Sequence, residues 1–318
     1  MNKKDYMNVE ISPFYYMGRS LMTFMRWAFL ICISFVILYP LIYMLSMSFR
    51  SPEDFYDLTV IWIPKNFVLD NFKTIFEAGF LKAMKNTSLI SVVSSVLQVF
   101  VTALAGYGFA RFKFKGNSVM FLIAIFTIVV PSQLLSIPNH MIMKNLDFFG
   151  IVQFITGAPS PINLLDTPWS FFVSAILGQG IRAGLFVLVF RQFFTGLPNE
   201  LEEAAMIDGC GYAHTYFRIM LPNAKTSILV CFLFSLVWYW NDYYTPYVYL
   251  TNMRTLPVLL LDLRTSLQNI LPIEQQTAHY IIPIEQAACI FSILPLLILF
   301  IVAQKYFVQG IDKTGIVG

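Results

Sequence analysis

LPNELEEAAMIDGCGYAHTYFRIMLP, residues 197–222, is a polar stretch set between long apolar runs. Pro198 cannot continue a preceding helix, Asn199 is a good N-cap, and Glu202 three residues on completes a capping-box pattern. Glu200, Glu202 and Glu203 fill the first turn, where the helix dipole favours negative charge. Gly209 suits the left-handed residue that closes a helix. The pattern predicts a helix over residues 200–208, about 13 Å long at 1.5 Å per residue. It also predicts a second short helix from Ala213 to Met220 that stops at Pro222. Ala204 and Ala205 are small enough to let another protein's backbone approach closely. On residues alone the stretch is either a capped connector between two spans or a docking element.

What surrounds it is built for lipid. Of 318 residues 57% are hydrophobic and 12% charged, about half the charged fraction of soluble domains. A net charge of +3 is too small to suggest a nucleic-acid partner. Cys32, Cys231 and Cys289 fall in apolar runs and Cys210 in the loop, with no disulfide framework or metal-ligand spacing. Six runs are long enough for the hydrocarbon core, near 27–49, 88–110, 118–138, 168–190, 226–248 and 285–305; each needs about 20 helical residues. The first is too long for a signal-peptide core and reads as an uncleaved span. Arg111, Lys113 and Lys115 crowd one short loop, which places that loop, both termini and the Glu203 loop on the cytoplasmic side.

The expected organisation is a cytoplasmic tail over 1–26, a six-span domain over 27–305 with a core at 88–305, and a cytoplasmic tail over 306–318. In the external loop 50–87, Phe72, Ile75, Phe76, Phe80 and Met84 recur near helical spacing, which predicts an amphipathic helix on the outer membrane surface. Pro131 and Pro138 should kink or end the third span. Gly157-Ala158-Pro159-Ser160-Pro161 reads as a loop, and residues 251–284, with Pro257, Pro272 and Pro283, as a long external one.

The spacing within 197–222 carries a resemblance. Glu203-Ala204-Ala205, then Asp208-Gly209, then Ile219 after nine intervening residues, then Leu221-Pro222, resemble the EAA loop of bacterial ATP-binding-cassette importer permeases. Ala105-Gly106-Tyr107-Gly108-Phe109-Ala110-Arg111-Phe112 resembles the family's end of the second span, and Phe190-Arg191-Gln192-Phe193-Phe194, Trp240-Asn241-Asp242 and Gln304-Lys305-Tyr306-Phe307-Val308-Gln309-Gly310 are similar to the carbohydrate branch, MalG-like permeases of oligosaccharide importers. The likeness covers most of residues 35–318. It departs in an apparent insertion around 151–163, in a longer final external loop, and in a tail ending Thr314-Gly315-Ile316-Val317-Gly318, departures that bear on the substrate rather than the family.

The resemblance implies an all-α type I importer permease fold with six transmembrane helices. It implies a non-catalytic subunit that forms half of a sugar path and docks a separate ATPase through Glu203, Ala204, Ala205, Asp208, Gly209, Ile219, Leu221 and Pro222. The implied partners are a homologous second permease in a heterodimer, two ATPase subunits that hold ATP and Mg, and an extracytoplasmic solute-binding protein. A solute of another class, glycerol phosphate-like or otherwise anionic, is the alternative cargo.

No Walker A sequence is present: in Gly310-Ile311-Asp312-Lys313-Thr314, Asp312 stands where glycine should precede the lysine. An intramembrane hydrolase would have to draw on His140, His214 or His279, and Ser136 and His140 are separated by Pro138 with no third group to orient the histidine. A secondary carrier would need buried acids for ion coupling, and Asp242 is the single candidate. Arg182 is the one basic residue deep in a span, about 13 Å from the cytoplasmic end on a straight helix. It lines the path, pairs with the partner permease or snorkels. Trp238, Asn241 and Asp242 at the outer half of the fifth span suit either a sugar path or an interfacial belt.

Overall fold

The computed structural model describes residues 13–147, 150–157 and 162–314, and among these all regular elements are helical. They run α1 (Pro13–Ser48), α2 (Pro52–Tyr56), α3 (Asp70–Glu77), α4 (Phe80–Arg111), α5 (Asn117–Val129), α6 (Ser136–Lys144), α7 (Ile151–Thr156), α8 (Trp169–Ile176) and α9 (Ala183–Thr195). There follow α10 (Glu200–Ile207), α11 (Tyr212–Thr215), a π-turn (Tyr216–Met220), α12 (Leu221–Asn223), α13 (Lys225–Asn241), α14 (Tyr244–Tyr249), α15 (Leu256–Leu261), α16 (Leu263–Gln268) and α17 (Ala278–Thr314). The chain divides into two compact units, Met1–Lys73 with Thr277–Ile290, and Thr74–Gln276 with Phe291–Gly318.

In the first unit, α1 carries exposed Met22, Phe24, Phe29, Val36 and Ile37 along its length. A helix apolar all round and uncovered by its own chain suits lipid or a partner subunit. Beyond it a small polar knot folds the chain back. Arg50 Nη2 donates to Ile61 O at 2.7 Å, Asn71 Nδ2 to Ser48 O at 2.9 Å, and buried Asp54 accepts from Asn66 N at 2.8 Å. Asp57 pairs with Lys65 and accepts from Thr59, contacts that hold its carboxyl far below the usual range.

The second unit is assembled on α4, which packs against α8, α9 and α13. Its inward face is mostly small or polar: Ala83, Thr87, Ser91, Ser94, Ser95, Gln98, Thr102, Ala103 and Gly106 are buried beside the larger Phe80, Ile90, Val99 and Tyr107. Small residues let helix backbones approach in a membrane. At Gly106 a Cβ would lie 2.5 Å from Phe190 Cβ, and at Gly184 one would lie 2.3 Å from Ala124 O, so both crossings require glycine. Phe186, Phe190 and Phe194 on α9 fill the core beside Tyr107, Tyr216 and Met220.

Several sequence expectations change here. The apolar stripe of residues 72–84 is not one surface helix: α3 ends at Glu77, Gly79 takes φ +86°, and Phe80 and Met84 begin α4. Ile75 and Phe80 are fully buried, and Phe80 meets Phe291 at 6.1 Å, so protein covers those two positions while Phe76 stays exposed. The third run breaks at Pro131, after which Gln133–Lys144 bends 100° away from α5, whereas Pro138 sits harmlessly in the first turn of α6. The fourth run is two helices, α8 and α9, interrupted at 177–182, where Gly178 and Arg182 take φ of +73° and +53°. Pro283 lies inside α17, and the long loop before it contains α15 and α16. The 158–161 part of the proline-rich loop, residues 1–12 and Gly315–Gly318 lie outside the described residues.

By length and composition Arg19–Ser48, Phe80–Arg111 and Ala278–Lys305 can each cross a membrane, and two bent pairs bring the number to as many as five among the described residues. The broken α8–α9 stretch is the remaining apolar run.

Candidate docking loop and polar break

The loop at 197–222 forms as a helix, a turn and a second helical segment. Asn199 occupies the N-cap of α10, yet its side chain does not cap the backbone. It accepts instead from Nη1 of Arg111 at the end of α4, while Arg111 Nη2 donates to Leu197 O at 2.7 Å and Nε faces Glu202 Oε2 at 3.5 Å. The capping box expected from Asn199 and Glu202 is therefore replaced by a cation from another helix, which draws both side chains away from the α10 backbone. At the other end Gly209 takes φ +83°, and Cys210 N donates to Ala205 O at 2.9 Å, closing the helix as a left-handed glycine allows.

The residues of the spaced pattern do not all face the same way. Ala205 is buried against its own chain, and Ile219 and Leu221 pack on the Tyr216–Met220 core, so these three anchor the loop. Glu203, Ala204, Asp208, Gly209 and Pro222 are exposed. Ile207 joins them at 86% exposure, with Leu201 and Met206 beside it. A polar loop thus presents an uncovered apolar ridge. The second helical segment runs Tyr212–Asn223 and ends one residue past Pro222, next to the expected stop. The backbone widens into the π-turn, Pro222 falls in the first turn of α12 where its missing N–H is tolerated, and the direction changes by 76° into α13.

The break at 177–182 is held by side chains of α4 and α13. Gln98, fully buried, donates from Nε2 to Ile181 O at 2.7 Å, and Tyr239 OH accepts from Ile181 N at 3.4 Å. Gly180 lies so close that a Cβ would meet Gln98 Oε1 at 2.4 Å. These contacts satisfy backbone groups that a broken helix exposes. Arg182 does not lie inside a straight helix but immediately precedes α9. Its side chain is exposed, and Cζ lies 4.8 Å from the centre of the Trp238 ring, which stacks on Phe186. Arg182 and Trp238 are therefore brought together. Asn241 and Asp242 are engaged locally: Asn241 Nδ2 donates to Val237 O at 2.9 Å, and Asp242 Oδ1 accepts from Tyr244 N and Thr245 N at the start of α14. Ser136 Oγ donates to Gln133 O and meets Tyr244 OH at 3.1 Å, whereas His140 lies against Tyr249.

Sequence reading missed Gln98 and the clamp made by Arg111. A glutamine in the middle of an apolar run was the available signal for the first; nothing local announced the second.

Apolar helices around a core rich in small residues, with an exposed helical loop, fit a membrane permease. The chain belongs to the family of binding-protein-dependent transport system inner membrane components, which matches residues 98–313. It is 32% identical to the arabinooligosaccharides transport system permease protein AraQ of Halalkalibacterium halodurans, over 90% of this chain and 93% of that one. It is 26% identical to the polygalacturonan/rhamnogalacturonan transport system permease protein YtcP of Bacillus subtilis, over 92% and 97%. A crystal structure of a bacterial ABC transporter involved in the import of the acidic polysaccharide alginate shares the type I fold, with a TM-score of 0.72 at 21% identity over 93% of this chain and all of that one.

Proposed function

We propose that this chain forms half of the translocation path of an importer for an oligosaccharide. In this reading it has six spans with both termini in the cytoplasm, α8 and α9 together making the broken span. It pairs with a homologous permease, receives solute from an extracytoplasmic binding protein and docks one of two ATPase subunits through residues 197–222. ATP and Mg belong to those subunits, and the chain itself carries no catalytic role. ATP binding closes the ATPases, the docked α10 moves as a lever, and the spans rock to open outward.

The observation that carries this reading is the exposed ridge of Leu201, Ala204 and Ile207 on an otherwise polar loop, an apolar patch with no cover in its own chain. The test is Ala204→Cys cross-linking in membranes containing the complete importer. An adduct of this chain with an ATPase subunit is expected, and its absence, with the cysteine still reactive, would remove the docking role.

Arg182 favours an acidic over a neutral cargo. An exposed guanidinium beside an aromatic face offers a charge-assisted pair to a uronate and a stacking surface to its ring. The relative named for polygalacturonan and rhamnogalacturonan transport supports such a cargo for this chain.

A further inference from the structure

We propose that Arg111 is the positioning residue that makes α10 and α4 move as one body. The inference rests on the docking reading of residues 197–222. A docked helix transmits motion only if something fixes its angle to the long helices, and the covalent connection from α9 is hydrogen-bonded only as far as Leu197, whose N–H reaches Phe194 O at 3.3 Å, while Pro198 has no N–H to carry the ladder into α10. Arg111, the last residue of α4, reaches three points of the loop start at once: the Asn199 side chain, the Leu197 carbonyl and the Glu202 carboxylate. The points lie before, at and inside the first turn of α10, so one rigid planar group fixes both its position and its tilt. A guanidinium can do this because its donors diverge in a plane, whereas an ammonium is a single point.

The clamp is sheltered. The side chains of Arg111 and Glu202 are 8% and 13% exposed, which reduces competition from water and salt. It is also rigidly mounted. One turn earlier Gly106 holds α4 against α9 at backbone contact, and Tyr107, facing Glu202, packs on Phe194 at 5.4 Å and Tyr216 at 4.9 Å. Both ends of α10 are thus held, the start by Arg111 and the end by buried Ala205 and the packing of α10 on α11. The outward ridge stays free to take a partner. Arg111 Nε and Glu202 Oε1 lack hydrogen-bond partners, so the ion pair is held by charge and confinement rather than by a bidentate fork. Asn199 and Leu197 accept the directional bonds.

The experiment uses the complete importer in nanodiscs, with spin labels at Glu200→Cys on α10 and Leu104→Cys on the exposed side of α4, the native cysteines being replaced by serine. The distance distribution between the labels is measured without nucleotide and with ATP and vanadate. One narrow distribution, unchanged on trapping, is expected for the parent. Arg111→Gln should broaden it by about 1 Å or more and make it shift on trapping while the ATPase remains attached, and Arg111→Lys should restore part of the order. The double variant Asn199→Ala/Glu202→Gln removes the acceptors and leaves the cation, so it makes the same test if Arg111→Gln does not reach the membrane. Unchanged narrow distributions in these variants overturn the proposal, as does loss of the ATPase from Arg111→Gln while the double variant stays narrow. Ile207→Asp separates the two readings. If it leaves the ATPase bound, the docking reading fails whatever the distances show, and if it releases the ATPase while the Arg111 variants stay ordered, the clamp alone fails.

Discussion

The Arg182 guanidinium lies over the Trp238 ring, 4.8 Å from its centre, joining the break between α8 and α9 to α13. Arg182 is one of two non-glycine residues with positive φ among those described. A left-handed backbone costs a residue with a Cβ on the order of 1–2 kcal/mol. Such a residue persists only where its surroundings hold it, here the Gln98 and Tyr239 contacts to Ile181 next door.

A path role for this pair makes uptake sensitive to cargo charge. Arg182→Gln is expected to reduce transport of an acidic oligosaccharide at least tenfold, corresponding to about 1.4 kcal/mol, and of a neutral one much less. Paired uptake measurements in proteoliposomes check this. Equal losses for both sugars, with less intact complex recovered, would show that Arg182 instead supports assembly.

Gly209 has no heavy atom within 4 Å of where a Cβ would stand, so its constraint is the φ of +83° and not space. Gly209→Ala should cost about 1–2 kcal/mol locally, and Gly209→Pro should lose the turn, since proline requires φ near −65°. Both proteins should accumulate in the membrane, with uptake reduced by alanine and abolished by proline. Membrane yield and uptake together check this; full uptake by the proline variant would refute it.

The α4–α9 crossing predicts a packing failure of a different kind. At Gly106 even a methyl would meet Phe190 Cβ at 2.5 Å and Arg191 N at 2.9 Å. Backbone cannot yield as a flexible side chain does, and overpacking costs roughly 1–3 kcal/mol. Gly106→Val should lower the unfolding midpoint of the detergent-solubilised chain and its yield, whereas Gly108→Val, whose Cβ would lie 4.0 Å from its nearest neighbour, should be tolerated. Similar midpoints for the two variants would contradict the close crossing.

Asp166, outside the spans, binds the turn after α14. Its carboxylate accepts from Asn252 N at 2.8 Å, Thr251 N at 2.9 Å and Met253 N at 3.3 Å, and from the Asn252 side chain. The Asn252 bonds, chiefly the backbone one, hold its pKa below the ordinary value. A depressed folded-state pKa gives stability that is present above the unfolded value, about 3.9, and lost as pH falls through the folded one. Asp166→Asn should therefore lower the unfolding midpoint at pH 7, with the gap to the parent closing below about pH 4. A gap independent of pH would assign the effect to packing.

The amino-acid sequence by itself determined what depends on local spacing and local dihedrals. The apolar runs specify helices in lipid because every backbone polar group there must be satisfied internally. The acids after Pro198 start α10, and Gly209 ends it through a left-handed residue that glycine adopts without penalty. What only the tertiary structure decided is which residues of distant helices meet. The break at 177–182 looks like one continuous apolar run in sequence, and it is stable because Gln98 and Tyr239 arrive to satisfy its backbone. The capping box written by Asn199 and Glu202 yields to Arg111, whose more strongly charged donors outcompete a neutral backbone amide for the same oxygens. The pattern Glu203 to Pro222 likewise divides into an outward ridge and an inward anchor, because one side of α10 must bury Ala205 before the other can be offered to a partner.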